Sequence, residues 1–413
     1  MSNTINNMKD APGVIAQAAA VMLADKLQFT KSIAKADKSD YDGKNGYKAG
    51  DTIYISKPAR FVPQTTFDIT STQQDIKEEK VALTLDISST VGVNLDSSEM
   101  ATEMDVEQSI KRVIEPAVSA IAQNVEQRML QKATQATFNV VGTAGSTTFA
   151  TDDILSARER MNKYLCPKDN KRFFLGDSTS MRKAVNERKG LFQSSSEIAK
   201  QYEQGYIGMA DGFNWLENEL LYNHTNGTDV TGVAVNDAST ATAASTLAVD
   251  GLTATTGTVT KGSVFTIANV YAVHPITKAT LPFLQQFVVT ALATADSSGE
   301  ATLSISPTIY DSTSGSLQNV SALPADDAAL TFVGSASTSY TQSVAFHKQA
   351  FRMVSVPLVM PKSAEMAVQK TVDGITVAVI RDFDILTRKM ITRLDFLGGL
   401  CADRPEWASR ITS

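Results

Sequence analysis

DVEQSIKRVIEPAVSAIAQNVEQRMLQKATQ, Asp105–Gln135, is the stretch on which the fold turns. Its apolar residues Val106, Ile110, Val113, Ile114, Ala117, Ile121, Val125 and Met129 recur at spacings of three and four. That period predicts one helix with a single apolar stripe along its length. At 1.5 Å per residue the helix would run roughly 46 Å, longer than most globular helices, and Pro116 predicts a bend near its first third. The element serves as a beam. A core helix of an enzyme domain would show the same periodicity, so the flanking sequence has to decide between the two.

Upstream, the period changes to two. Ile53 and Ile55 alternate with polar neighbours, as do Val81, Leu83, Leu85 and Ile87, which predicts a long hairpin over 51–95. Its distal part, 63–79, carries Thr65, Thr66, Thr70, Ser71, Thr72, Gln73 and Gln74 but few large apolar side chains. An isolated two-stranded hairpin is marginal in water, so this one should lie on another surface, either its own domain or a neighbouring molecule. Residues 1–50 read as an N-terminal arm: a short helix carrying Val14, Ile15, Ala18, Val21, Met22 and Leu23, then a charged, glycine-containing linker from Lys31 to Gly50 without a core of its own.

Downstream, Asp152 and Asp153 should cap a helix carrying Ile154, Leu155, Arg158 and Met161; Arg172–Leu175 reads as a strand and Met181–Val185 as a helix. Arg158, Arg160, Lys163, Lys168, Lys171, Arg172, Arg182, Lys183, Arg188 and Lys189 face only Glu159, Asp169, Asp177 and Glu187, a local excess of six positive charges. This block could meet a polyanion, or it could be a pair of solvated helices whose charges point in several directions. From 224 to 345 the composition shifts to about 30 per cent Ser plus Thr. Lys261 and Lys278 stand there against Asp229, Asp237, Asp250, Asp296, Glu300, Asp311, Asp326 and Asp327, and this imbalance of −6 equals the net charge of the whole chain. Runs such as Val264–Val273, Phe287–Leu292, Ala301–Ile305 and Ala329–Val333 predict a small antiparallel barrel or sandwich inserted at a surface loop. In the last seventy residues, Phe351–Val359, Ile375–Ile380 and Ile385–Leu394 read as strands and Gly398-Gly399 as a turn.

Composition narrows the function classes. The chain has 413 residues, room for two or three domains, and a net charge of −6 that argues against a generally basic nucleic-acid binder. Its two cysteines, Cys166 and Cys401, form no CxxC pattern, so neither a disulfide scaffold nor a thiolate metal site is indicated. The apolar run Val14–Leu23 is interrupted by Gln17, lacks a basic leader and has about half the length of a membrane span, so it reads as neither signal nor anchor. His224, His274 and His347 lie too far apart for an HExxH pair, and no GxSxG elbow occurs. Gly257–Ser263 looks like a phosphate loop, but its Lys261 precedes the glycine, and a β-turn fits better. Gly176–Ser180 fits helix capping, and the pairs Asp326/Asp327 and Asp382/Asp384 lack the glycine and terminal Glu of an EF-hand. No catalytic, cofactor-binding or metal-ligating residue is nominated, and no cofactor is expected.

The order of these elements resembles that of tailed-phage major capsid proteins of the Hong Kong 97-like fold. Val344-Ala345-Phe346-His347-Lys348-Gln349-Ala350-Phe351, followed by Pro357-Leu358, looks like that family's strand entry after its last inserted segment, and Cys401-Ala402-Asp403-Arg404-Pro405-Glu406 is similar to its "RPE" ending. The module at 224–345 points to the subfamily of short-tailed Salmonella phages. The resemblance implies an α+β fold: N-arm 1–50, E-loop hairpin 51–95, P-domain with spine helix and first part of the A-domain 96–223, inserted β-barrel 224–345, and a return through A- and P-domains 346–413. It implies a shell protein, not an enzyme, that forms pentamers and hexamers around double-stranded DNA in the virion, assembled in the host bacterial cytoplasm with a scaffolding protein and a portal, and without a membrane. Ring-closing subunits use head-to-tail contacts in which an arm reaches over the next copy, which suits the arm and hairpin. His347, inside the resembling motif, reads as a satisfied core imidazole rather than a pH switch. Another virion or surface-lattice protein, such as a tail-tube or S-layer-like subunit, is the alternative, and a hydrolase with an inserted β domain would need an acid–base site that no residue supplies convincingly.

Overall fold

The computed structural model describes residues 11–36, 47–58, 61, 67, 79–96, 114–146, 151–187, 208–236, 241–361, 363–364, 366–385 and 389–412. The chain forms two units: Met1–Ile55 with Val81–Leu130 and Arg352–Cys401, and Ser56–Lys80 with Gln131–Phe351 and Ala402–Ser413.

In the first unit, helix α1 (Ala11–Lys26) lies on the strands Met366–Val372 and Ile375–Asp384. Ala16, Ala19, Ala20, Leu23 and Ala24 are buried, and the small side chains let the helix approach the sheet closely. A second short helix, α2 (Gln28–Ser32), follows, and Ala34–Lys35 then adds a parallel strand beside Arg352 and Met353. The arm expected to lack a core is therefore packed over 16–35, because the alanines of α1 bury on the sheet of its own unit and Leu27, Phe29 and Ile33 are buried as well. Residues 1–10 and 37–46 of that arm lie outside the described residues.

The beam helix α3 is described over Glu115–Ala136, about 33 Å long, whereas 101–113 lie outside the described residues. Pro116 is the second residue of the described helix, and the part of the expected beam before Ile114, on the other side of the expected bend, lies outside the described residues. Val118, Ile121, Val125 and Met129 are buried, as the apolar stripe requires. Glu126 lies on the same stretch and is buried too. Its carboxylate accepts from Phe29 N (2.5 Å), Thr30 N (3.4 Å) and Thr30 Oγ1 (2.8 Å). Leu27, at the N-cap of α2, has no capping side chain, so a carboxylate from α3 performs that role. Arg128 of the same helix donates to Asp86 O and Ser88 O, both at 2.8 Å.

The hairpin is shorter than the sequence predicts. Thr52–Lys57 pairs with Glu79–Thr84, and Ile53, Ile55, Leu83 and Leu85 bury against Val354, Val356 and Leu397. Leu85 marks the base, bonding to Gly50 and Asp51. The following strand, Ile87–Asp96, leaves the hairpin and pairs antiparallel with Lys389–Ala402 through Ile87↔Gly398 to Asp96↔Lys389. The alternation that made 81–95 look like one strand is thus shared by two strands in different sheets. Residues 59–60, 62–66 and 68–78 of the hairpin lie outside the described residues. Gly398 and Gly399 are not a turn either, since both lie inside the strand Lys389–Ala402. A Cβ on Gly399 would stand 2.4 Å from Thr84 O, so the glycine serves close approach of two backbones. Strand Phe351–Ser355 stops four residues short of the expected Val359.

In the second unit a mixed sheet runs Val140–Gly142, Ala408–Thr412, Ser339–His347, Arg172–Gly176, Phe213–Glu217, Met209–Ala210. Helix α4 (Thr151–Lys163) begins with Asp152 and Asp153 in its first turn, and α5 (Ser178–Glu187) is capped by Asp177, whose Oδ1 accepts from Ser180 N at 3.0 Å. Phe174, Phe213, Trp215 and Phe346 form the aromatic centre, with the Phe174 and Trp215 rings 4.4 Å apart. A second, antiparallel sheet takes the order Ala234–Val235, Ala244–Asp250, Ala301–Ile309, Thr280–Val289, Val264–Val273, Leu330–Phe332. Its first strand returns to the chain entering the last through Val235 N to Ala328 O and Leu330 N to Val233 O. These bonds bring the two ends of the sheet together over one core that includes Val249, Phe265, Phe287, Leu303 and Phe332. Strand Ser339–His347 runs across the expected boundary at 345: Ser339–Thr341 pairs with Asn223–Thr225, while Val344–His347 pairs with Arg172–Leu175.

Candidate functional site: the polar junction beneath the β module

The antiparallel sheet meets the mixed sheet of the same unit through buried polar side chains. Gln286, on the strand Thr280–Val289, accepts from Val140 N at 2.8 Å and donates to Val140 O at 3.0 Å. One side-chain amide thus completes both backbone groups of Val140 as a neighbouring strand would. Arg160 of α4 also donates to Gln286 Oε1. Beside it, Gln285 accepts from the Tyr164 hydroxyl at 3.1 Å and donates to Gln286 O at 2.8 Å. Burial raises the Tyr164 phenol and lowers the Arg160 guanidinium from their ordinary pKa ranges. Arg160 and Lys163 also stand over the Phe283 ring, 5.1 and 5.5 Å from its centroid.

On the other side of the junction, Arg410 is fully buried on the strand Ala408–Thr412. Its Nη1 donates to Gly262 O at 2.8 Å and to Gln342 Oε1 at 3.0 Å. Gly262 closes the turn Thr260–Ser263, so of Gly257–Ser263 the second half is a turn while Thr258–Val259 is a short strand paired with Ala293–Thr294; the φ of +96° at Gly262 is a left-handed conformation suited to glycine. His224 is 3.3 Å from Ser263 Oγ through Nε2, and its pKa is driven down to about 4, first by burial and then by the Arg410 charge. Asn226 donates to Val333 O and Ser335 O, fastening the module's entry to its exit. Chemically these groups hold two sheets together; the bonds they form go to backbone and to one another rather than into an open cleft. A separate cavity of about 410 Å³ is lined in part by Phe138, Tyr164, Tyr310, Arg404 and Trp407, with Arg404 stacked 4.4 Å over the Trp407 ring.

The basic block disperses. Arg160 and Lys163 face Phe283, and Arg172 is buried and donates to Cys166 O and Pro167 O at 2.6 and 2.9 Å. Lys168, Lys171 and Arg182 are exposed, and Arg188 and Lys189 lie outside the described residues. The charge count alone points to one surface; the fold directs these side chains to separate places, the solvated-helix alternative. His347 is buried with both ring nitrogens engaged, Nε2 3.0 Å from Asp169 Oδ1 and Nδ1 accepting from Gln349 N at 3.2 Å. It is the satisfied core imidazole that the sequence reading favours. Of the junction residues Gln285, Gln286, Tyr164, His224 and Arg410, the sequence nominates none for this role. The one available signal is the amide pair interrupting the apolar run LPFLQQFVV at 281–289; nothing local marks Arg410.

Among the described residues, no helix is long and apolar enough to cross a membrane. The family model for P22 coat protein, gene protein 5, matches residues 23–410. No curated protein matches the sequence. Solved structures similar to this chain include that of Mycobacterium phage Che8 (12% identity, TM-score 0.46, covering 93% of this chain and 90% of that one) and the capsid of Ralstonia phage GP4 (8%, 0.45, 92% and 87%). The CUS-3 coat protein I-domain is 27% identical over 26% of this chain and 99% of its own, with a TM-score of 0.19.

Proposed function

Because this chain belongs to the P22 coat protein family and is thus a major capsid protein of a phage shell, we propose that it closes an icosahedral shell of pentamers and hexamers around double-stranded DNA. Its role is structural and its place is the virion capsid. Assembly proceeds in the host bacterial cytoplasm on a scaffolding protein, with a portal at one vertex, and contact with the packaged DNA is non-specific. The architecture is Hong Kong 97-like: an N-arm, an E-loop hairpin beginning at 51, a spine-helix P-domain, an A-domain, and a β-barrel inserted between the strands at 223–225 and 339–341.

The observation that carries the reading is the hairpin. Its base is held by Ile53, Ile55, Leu83 and Leu85, but farther out Phe61 is 57% and Phe67 108% exposed. Exposed phenylalanines between the two paired strands Thr52–Lys57 and Glu79–Thr84 call for an apolar surface, and sister copies arranged head-to-tail would supply one at every position of a ring. Obligate assemblies bury on the order of 2,000 Å² or more per interface, which extended segments reach by overlap. Negative-stain images of the expressed protein, alone and with its scaffolding protein, test this. Closed round shells are expected; tubes or flat lattices would replace the reading with a tail-tube or surface-layer subunit.

A further inference from the structure

Arg410 is buried completely, and no described Asp or Glu forms an ion pair with it. Burial brings its pKa down to about 9, which leaves it charged at neutral pH. Nη1 is satisfied by Gly262 O and Gln342 Oε1, whereas the buried Nε and Nη2 have no hydrogen-bond partner among the described residues. These two nitrogens lie side by side on the guanidinium and present parallel N–H bonds, the fork that takes an anion side-on. His224 is neutral near pH 7 and adds no negative charge; its ring lies within 3.3 Å of where a Cβ on Gly262 would stand, and the Tyr222 hydroxyl accepts from Gln135 Nε2 at 3.1 Å. A buried, uncompensated cation is strongly destabilising, and two carbonyl dipoles offset only part of that cost.

We propose that the Nε–Nη2 edge of Arg410 is a buried binding site for a small monovalent anion of the halide class, chloride in the cell. Arg410 has no solvent exposure, so a phosphate or the carboxylate of another chain cannot reach the fork without opening the junction, whereas a single-atom anion needs little room. Gly262 belongs to the turn of the β module, Gln342 to the returning strand and Arg410 to the last strand. An anion on the fork is held only while all three are assembled, so it stabilises the folded junction by mass action.

The test is urea unfolding of the full chain at pH 7.5 and constant ionic strength, with sodium chloride replaced stepwise by sodium gluconate, alongside ³⁵Cl NMR line widths of the folded protein. The expected result is a midpoint that rises with chloride, the folded-to-unfolded ratio growing tenfold for each tenfold chloride above the dissociation constant, and excess ³⁵Cl broadening lost in urea. Arg410→Gln should abolish both. Should that variant not fold, the wild-type comparison decides alone: equal midpoints in chloride and gluconate without excess broadening would overturn the site, as would an Arg410→Gln protein that keeps the chloride response.

Discussion

His224 and Gly399 show how single positions carry tertiary constraints. Burial and the Arg410 charge hold the His224 pKa at about 4, against 6.5 for the free imidazole. The unfolded chain therefore takes up the proton first as pH falls. The stability from neutral His224 is complete above about pH 6.5 and is lost between there and about pH 4, a difference of about 3 kcal/mol. His347 is shifted the same way, by burial, and steepens the same window. Urea midpoints at pH 7, 5 and 4 should fall less in His224→Gln than in the wild type; parallel curves would contradict the assignment. Gly399→Ala places a Cβ 2.4 Å from Thr84 O, a backbone atom that cannot turn aside. It should cost about 2 kcal/mol or more, read as a lowered thermal midpoint.

At the level of elements, two contacts join segments far apart in sequence. Glu126→Ala leaves the Phe29 and Thr30 amides at the start of α2 without their acceptor, and the loss should be about 2 kcal/mol. Hydrogen exchange should quicken at 29–30 well before it does in the strand Met366–Val372. The α4 cations over Phe283 form a second such contact. In a double-mutant cycle Arg160→Ala with Phe283→Ala should show coupling of about 1 kcal/mol, and additive effects would mean that the ring and the guanidinium act independently. The same contact explains why the basic block misleads as a surface: a helix presents charges on all its sides, and the side facing the β module uses them for packing.

For the whole molecule, the exposed aromatics of the hairpin separate folding from assembly. Phe61→Asp with Phe67→Asp alters residues that contribute little to the chain's own core, so the stability of the monomer should change by no more than about 0.5 kcal/mol. Closed shells should disappear from electron micrographs of the double variant. Loss of monomer stability together with shells would show instead that these rings support the subunit's own fold.

Element type was legible from the sequence wherever a local period set it. The helix Thr151–Lys163 and the stripe on α3 follow from spacing, because burial on one face of a helix forces a period of 3.6 regardless of the partner, and the strand Val264–Val273 follows from its β-branched and aromatic composition between turn residues. The composition break at 224–345 likewise marked the β-rich region. Which strands pair was decided only in three dimensions. The alternation at 81–95 is the same whether it forms one hairpin arm or two strands in separate sheets, and a Gly-Gly pair serves a turn or a close crossing equally well. The polar junction was still less accessible. Gln286, His224 and Arg410 lie up to 186 positions apart, and a buried polar group is defined by the partner that satisfies it, which no local pattern of residues encodes.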